Sequence, residues 1–250
     1  LAQLATLRFV SGPPMIRDEN GRLAAYVYVD MAGRDVGGYV EDLKRAVQGK
    51  IELPPGYTIA WSGQYEFMQR VRERLEVVVP LTLLIIFVVF YLTFRSVAET
   101  LMVMLGVPLA LVGAIWYLAV LEYNMSVAVW VGIITVVGTA AETSAVMLAY
   151  LDEACARRKA AGGLKTLEDL LETVHLGAVE RIRPMAMIGL VDVLGLVPVM
   201  LATGTGADVM KRVAAPQVGG VLSAMLLTLF VIPAAYAMWR WRVETRGERL

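Results

Sequence analysis

The chain has 250 residues, with 23 Lys and Arg against 23 Asp and Glu; 58% of it is hydrophobic and only 18% is charged. Soluble domains are about a quarter charged, so the apolar excess predicts a lipid bilayer as the solvent for much of the chain, and the balanced charge offers no basic face for nucleic acid. One Cys and one His exclude a disulfide framework and a His/Cys metal cage built within the chain. No G-x-x-x-x-G-K-[ST] run is present to cradle nucleotide phosphates. The first residue is Leu1 and no signal-like n-region precedes the first apolar run, so the chain reads as part of something longer.

Residues 1–74 hold ten of the Lys and Arg and nine of the Asp and Glu, mixed in sign as on a wetted surface. Leu4 to Val10 is a candidate strand, and Arg22 to Asp30 alternates and is rich in Tyr and Val, which predicts another. Tyr39, Val40, Leu43 and Val47 recur at helical spacing. The turn Leu53-Pro-Pro-Gly56 then leads to a predicted strand over Tyr57–Trp61. Strand, helix, strand is half of a split β-α-β unit and too small to stand alone.

Five segments of membrane-spanning length follow, at about 77–94, 100–121, 123–151, 184–207 and 213–239. Three carry no charged residue; the third carries only Glu142 and the fourth only Asp192. Each meets the requirement of roughly 18–25 apolar residues for crossing the hydrocarbon as a helix. Eleven Lys and Arg (Arg95; six between Arg157 and Arg183; Arg240, Arg242, Arg246 and Arg249) lie on one side of the spans. Only Lys211 and Arg212 lie in the connections on the other. By the positive-inside rule, residues 152–183 and the tail 241–250 are cytoplasmic, and residues 1–74 lie outside.

Glu142 is ten residues before Asp152, hence about 15 Å from the cytoplasmic end of its helix, near mid-bilayer. An ionised carboxylate there costs at least about 2.5 kcal/mol, so it is expected to face the bundle interior and to serve as a proton acceptor in a relay. Asp192, nine residues after Arg183, lies at a similar depth on the next helix, where the two acids could share a proton or a cation. The alternatives are a structural hydrogen bond for Glu142 and a watery crevice or a helix break for Asp192. Small residues at Gly189, Gly195, Gly204, Gly206 and Gly219-Gly220 predict close helix approach. Most of the 13 Met residues are read as adaptable packing, although thioethers also suit soft ions such as Cu(I). Cys155 is expected to be a free cytoplasmic thiol and His175 a solvated surface residue.

Several runs taken together resemble the heavy-metal efflux branch of the resistance-nodulation-division (RND) transporters. They are Pro13-Pro-Met-Ile-Arg17-Asp-Glu-Asn-Gly-Arg22, Trp61-Ser-Gly-Gln-Tyr-Glu66, Val127-Ala-Val-Trp-Val-Gly132, Ala140-Ala-Glu-Thr143 and Ala214-Ala-Pro216. The resemblance implies the C-terminal portion of such a pump: an α-helical membrane protein whose five helices correspond to the eighth to twelfth. They are preceded by part of an α+β, ferredoxin-like periplasmic porter subdomain. It further implies a secondary transporter, not an enzyme, in the bacterial inner membrane: a homotrimeric proton antiporter exporting copper and silver, or zinc, cobalt, nickel and cadmium. Its partners would be the missing N-terminal half of the pump, a periplasmic adaptor and an outer-membrane channel, with no cofactor beyond the transported metal ion and the proton gradient.

On this resemblance Glu142 belongs to the proton relay, together with an aspartate this chain lacks and a lysine on the eleventh helix. That lysine is Met185 here, within Arg183-Pro184-Met185. Asp192 falls where family members usually have an apolar residue, so a relay rewired around Glu142 and Asp192 is expected, or an impaired copy. Met210 matches a methionine of a proposed thioether path for copper and silver, and equally fits packing. Two other readings compete: an RND pump for organic drugs, and a truncated or split, non-transporting membrane scaffold.

Overall fold

The computed structural model describes residue 12 and residues 15–31, 33–164 and 166–247, with side chains as far as 243. The candidate strand Leu4 to Val10 lies outside them. The chain divides into two compact units, residues 1–34 and 35–250.

The first unit contains a β-hairpin of β1 (Arg17–Glu19) and β2 (Arg22–Ala24), antiparallel, with Glu19 opposite Arg22. Its two-residue turn is Asn20-Gly21, with φ of 53° and 75°. Positive φ at both central positions matches the twist of the flanking strands, and Asn-Gly is the pair that tolerates it. The strand expected over Arg22 to Asp30 therefore stops at Ala24. Residues 25–30 carry no regular secondary structure, and Val27 and Tyr28 are exposed.

In the second unit, α1 (Val36–Gln48) is capped by Asp35, whose side chain accepts from Gly38 N at 2.6 Å. Gly56, with φ 92°, makes the expected turn, closed by Tyr57 N donating to Pro54 O. The strand expected at Tyr57–Trp61 is absent. A strand is held by its ladder partners, and a half unit supplies too few. Of the expected ferredoxin-like subdomain, the described residues show one hairpin and one helix.

Five long helices follow: α2 (Gln64–Phe94), α3 (Val97–Val120), α4 (Val127–Ala160), α5 (Leu167–Leu201) and α6 (Ala207–Gly247). All five are long and apolar enough to cross a membrane. Ser96 and Ser126 cap α3 and α4, and Thr166 with Asp169 forms a reciprocal capping box on α5. The 152–183 stretch, expected as a loop, is mostly helical: α4 runs on through Ala160, and α5 starts at Leu167 and continues unbroken past Pro184.

Helices α3, α4 and α6 form the tightest part of the bundle, α5 packs on α4 and α6, and α2 lies against α3. The sequence reason is a four-residue repeat of small side chains. Gly132 meets Pro216, Gly220 meets Val136, and Ala140 and Ala224 share a cluster. The hydroxyl of Tyr236 reaches Asp152, 84 residues away. Every one of these pairs has that same offset, so α4 and α6 run parallel in one fixed register. Helix α3 runs antiparallel to both, with Gly106 against Ser144 and Gly113 against Gly219 and Ser223. The Ser223 hydroxyl donates to Leu109 O at 2.7 Å across the same contact. Close approach is thus bought by absent side chains, as expected for Gly219-Gly220. Gly195, Gly204 and Gly206 have nothing within 4 Å of a notional Cβ, so they serve no such contact.

Candidate functional site

Glu142 and Asp192 come together. Both line a cavity of about 110 Å³ between α4, α5 and α6. Helix α4 presents Thr139, Glu142, Thr143 and Val146 to it, and α5 presents Arg181, Met185, Ile188 and Asp192. The α5 positions are spaced four, three and four apart, which puts them on one helical face. Asp192 and Thr139 also line a second, larger cavity of about 340 Å³ with Thr135, Gly195 and Gln217. Asp192 therefore stands between two spaces, and Glu142 borders the smaller one only.

The polar groups on the α4 wall have a defined orientation. Thr135, Thr139 and Thr143 donate their hydroxyl protons to the carbonyls of Val131, Val136 and Thr139, at 3.1, 3.1 and 2.8 Å. Their oxygens remain as acceptors. Such a wall can accept from a protonated carboxyl group or from water, but it has no hydroxyl proton to spare.

Met185 is buried, at 5% exposure, and forms part of the same cavity wall. One turn earlier stands Arg181, also on the cavity, its guanidinium 4.4 Å from the centre of the Tyr150 ring. Arg181 was visible in the sequence only as one of the eleven inward charges. Its spacing from Met185 and Asp192 was the signal that placed it on their face. Two carboxyl groups and one guanidinium thus line the cleft, an excess of acidic over basic side chains.

Met210 is not part of this arrangement. It lies in the first turn of α6, is 55% exposed, and lines neither cavity. Among the described residues no group of three or more His, Cys, Asp or Glu side chains is arranged to hold a metal ion. Cys155, expected as a cytoplasmic thiol, is fully buried in the core with Leu151 and Leu170, while His175 is exposed as expected.

Glu142 and Asp192 are both exposed on this chain, so Glu142 is not enclosed in the bundle interior as expected. A bundle of five membrane-length helices with two acids and a guanidinium lining one cleft defines a polytopic membrane protein of transporter type. The family described as "AcrB/AcrD/AcrF family" matches residues 1–240, and the chain belongs to it. It is 43% identical over 249 residues to the cation efflux system protein CusA of Escherichia coli O157:H7, covering 98% of this chain and 24% of that protein. It is 37% identical over 238 residues to the cobalt-zinc-cadmium resistance protein CzcA of Cupriavidus metallidurans, covering 95% of this chain and 22% of that protein. A crystal structure of a heavy metal efflux pump superposes with a TM-score of 0.70 at 31% identity, over 84% of this chain and 20% of that one. The chain thus lies in the heavy-metal efflux branch of the RND transporters, and it spans about a quarter of the length of the curated relatives it matches.

Proposed function

We propose that this chain is the C-terminal part of a proton-driven pump that exports heavy-metal cations, copper and silver or zinc, cobalt and cadmium, across the bacterial cell envelope. Its five spans take the positions of the eighth to twelfth helices, in the inner membrane. Residues 1–74 are periplasmic and contribute to the porter region, and the C-terminus is cytoplasmic, in line with the Lys and Arg asymmetry. The chain works with the N-terminal half of the pump in a homotrimer, coupled to a periplasmic adaptor and an outer-membrane channel. It catalyses no covalent chemistry.

The reading is carried by one observation: Glu142 and Asp192, from successive helices, border one cavity in the middle of the spans. In it a proton enters through the larger cavity to Asp192 and passes to Glu142. Protonation changes how strongly Glu142 on α4 attracts Arg181 on α5, and that differential interaction is what can shift the bundle between two arrangements. Met185 is neutral, so Arg181 supplies the positive charge on this face. Met210 has a lesser part, as a thioether on the surface of α6 within reach of metal delivered from outside.

The test is Glu142→Gln in a pump of full family length carrying this chain, reconstituted in liposomes. Metal transport driven by an imposed pH gradient should disappear while insertion and trimer formation persist. Retained transport would refute the relay. A second reading, a non-transporting scaffold, draws on the neutral Met185 in the cleft wall. It predicts that restoring a lysine with Met185→Lys produces gradient-driven transport where the unaltered pump has none.

A further inference from the structure

A second set of titratable side chains lies away from the cleft, where the start of α3 meets the Arg-bearing ends of α4 and α6. Tyr236 donates its hydroxyl proton to Asp152 at 2.6 Å, and Arg240, one turn further along α6, stands 3.9 Å from the same carboxylate. Glu99, in the first turn of α3, is 5% exposed and lies within electrostatic reach of both Asp152 and Arg240. No hydrogen bond to its carboxylate is formed among the described residues, although its backbone N–H donates to Ser96 Oγ. Cys155 is within electrostatic reach of Tyr236 in the same core. Among the described residues, helix α5 contributes the apolar Leu170, Val174, Ala178 and Met185 there, and α2 contributes Phe90 and Phe94.

The α4–α6 register shows what separates this cluster from mid-membrane. One turn in from Asp152 and Tyr236, Leu148 comes opposite Ile232, with Met102 of α3 in the same cluster, the first two fully buried. One turn further in, Ser144 comes opposite Thr228 beneath Gly106. Both hydroxyls are fully buried, and neither has a hydrogen-bond partner among the described residues. Buried orphan hydroxyls of this kind are where ordered water is held. An apolar layer about one helical turn thick therefore lies between a polar spot in mid-bundle and the outer cluster.

Among the described residues, two carboxylates meet one guanidinium in the outer cluster. Arg240 balances one of them, and Tyr236 keeps its proton while donating to Asp152. A second ionised carboxylate, on a residue only 5% exposed and with no hydrogen bond among the described residues, would be compensated only in part by Arg240, at a cost. A proton removes that cost, and interacting acids of this kind take it up as a pair. We propose that Glu99 and Asp152 hold one proton between them, forming a second proton-binding site that exchanges with the cytoplasm and is sealed from the interior by Met102, Leu148 and Ile232. Release passes the proton from the Glu99 carboxyl to the Asp152 carboxylate and then to cytoplasmic water. The site's role as the inner terminus of the transport route rests on the pump reading; its proton binding does not.

Infrared difference spectroscopy on the full-length pump, with pH stepped on the cytoplasmic face, tests it directly. A protonated-carboxyl stretching band should titrate in the unaltered protein, vanish or move in Glu99→Gln, move in Asp152→Asn, and persist in Glu142→Gln. A band unchanged in both Glu99→Gln and Asp152→Asn overturns the proposal. Should either variant fail to fold, Tyr236→Phe keeps the packing and removes the donor to Asp152; the band must then titrate at a different pH, and an unmoved midpoint overturns the proposal. In liposomes, Glu99→Gln should flatten the dependence of transport on internal pH at fixed external pH, and an unchanged profile removes the terminus role. Transport surviving Glu142→Gln would sink the pump reading while leaving the infrared result to stand.

Discussion

Helix α4 has two faces with opposite fates. Gly132, Val136, Ala140, Ser144 and Leu148 repeat every four residues and are sealed against α3 and α6. Thr135, Thr139, Glu142, Thr143 and Val146 lie part-way round the same helix and border open cavities against α5 and α6. Ser144 and Glu142 are two residues apart, yet one is fully buried beneath Gly106 and the other faces a space. The packed face admits small residues where the helices approach most closely and apolar ones elsewhere, down to the bulky Leu148, whereas the cavity face carries most of the polar groups of this stretch.

The largest effect expected from breaking this contrast is on the cavity face, where Glu142→Gln should abolish gradient-driven metal transport without loss of expression in a full-length pump. On the packed face, Gly113→Val should cost roughly 1–3 kcal/mol or more. The obstruction there includes Gly219 backbone, which cannot turn aside; thermal unfolding in detergent would register a clear fall in Tm. Tyr236→Phe removes a hydrogen bond to a carboxylate and should cost about 1.5–3 kcal/mol by the same measurement. Gly138→Ala sharpens the contrast from the other side. It lies on α4 with nothing within 4 Å of a new Cβ, so a gain of up to about 1 kcal/mol from helix propensity is expected, with unaltered transport.

Much of this was legible in the chain itself. Long uncharged runs mark the spans because hydrocarbon tolerates little else, and counting residues put Glu142 and Asp192 at matching positions on successive helices, where they do line one cavity. The place of Arg181 on the cavity wall was hidden because a basic residue just outside a long apolar run reads first as a topology signal. The hairpin at Asn20-Gly21 was announced by its turn residues but masked by the alternation of the run after it. That run, like Tyr57–Trp61, has the pattern of a strand without the neighbours that would hold one. The α4–α6 register could not be read because small residues four apart permit several alignments, and only the full set of contacts selects one.

Glu142 and Asp152 sit on one uninterrupted helix, α4, which has no proline from Val127 to Ala160. Such a rod behaves as a lever arm. A tilt begun by loading charge at its middle would be delivered mechanically to the cluster about 15 Å further along. Communication between the two ends would then need no chain of polar groups between them, and the greasy gasket in the middle could stay shut while the signal passes.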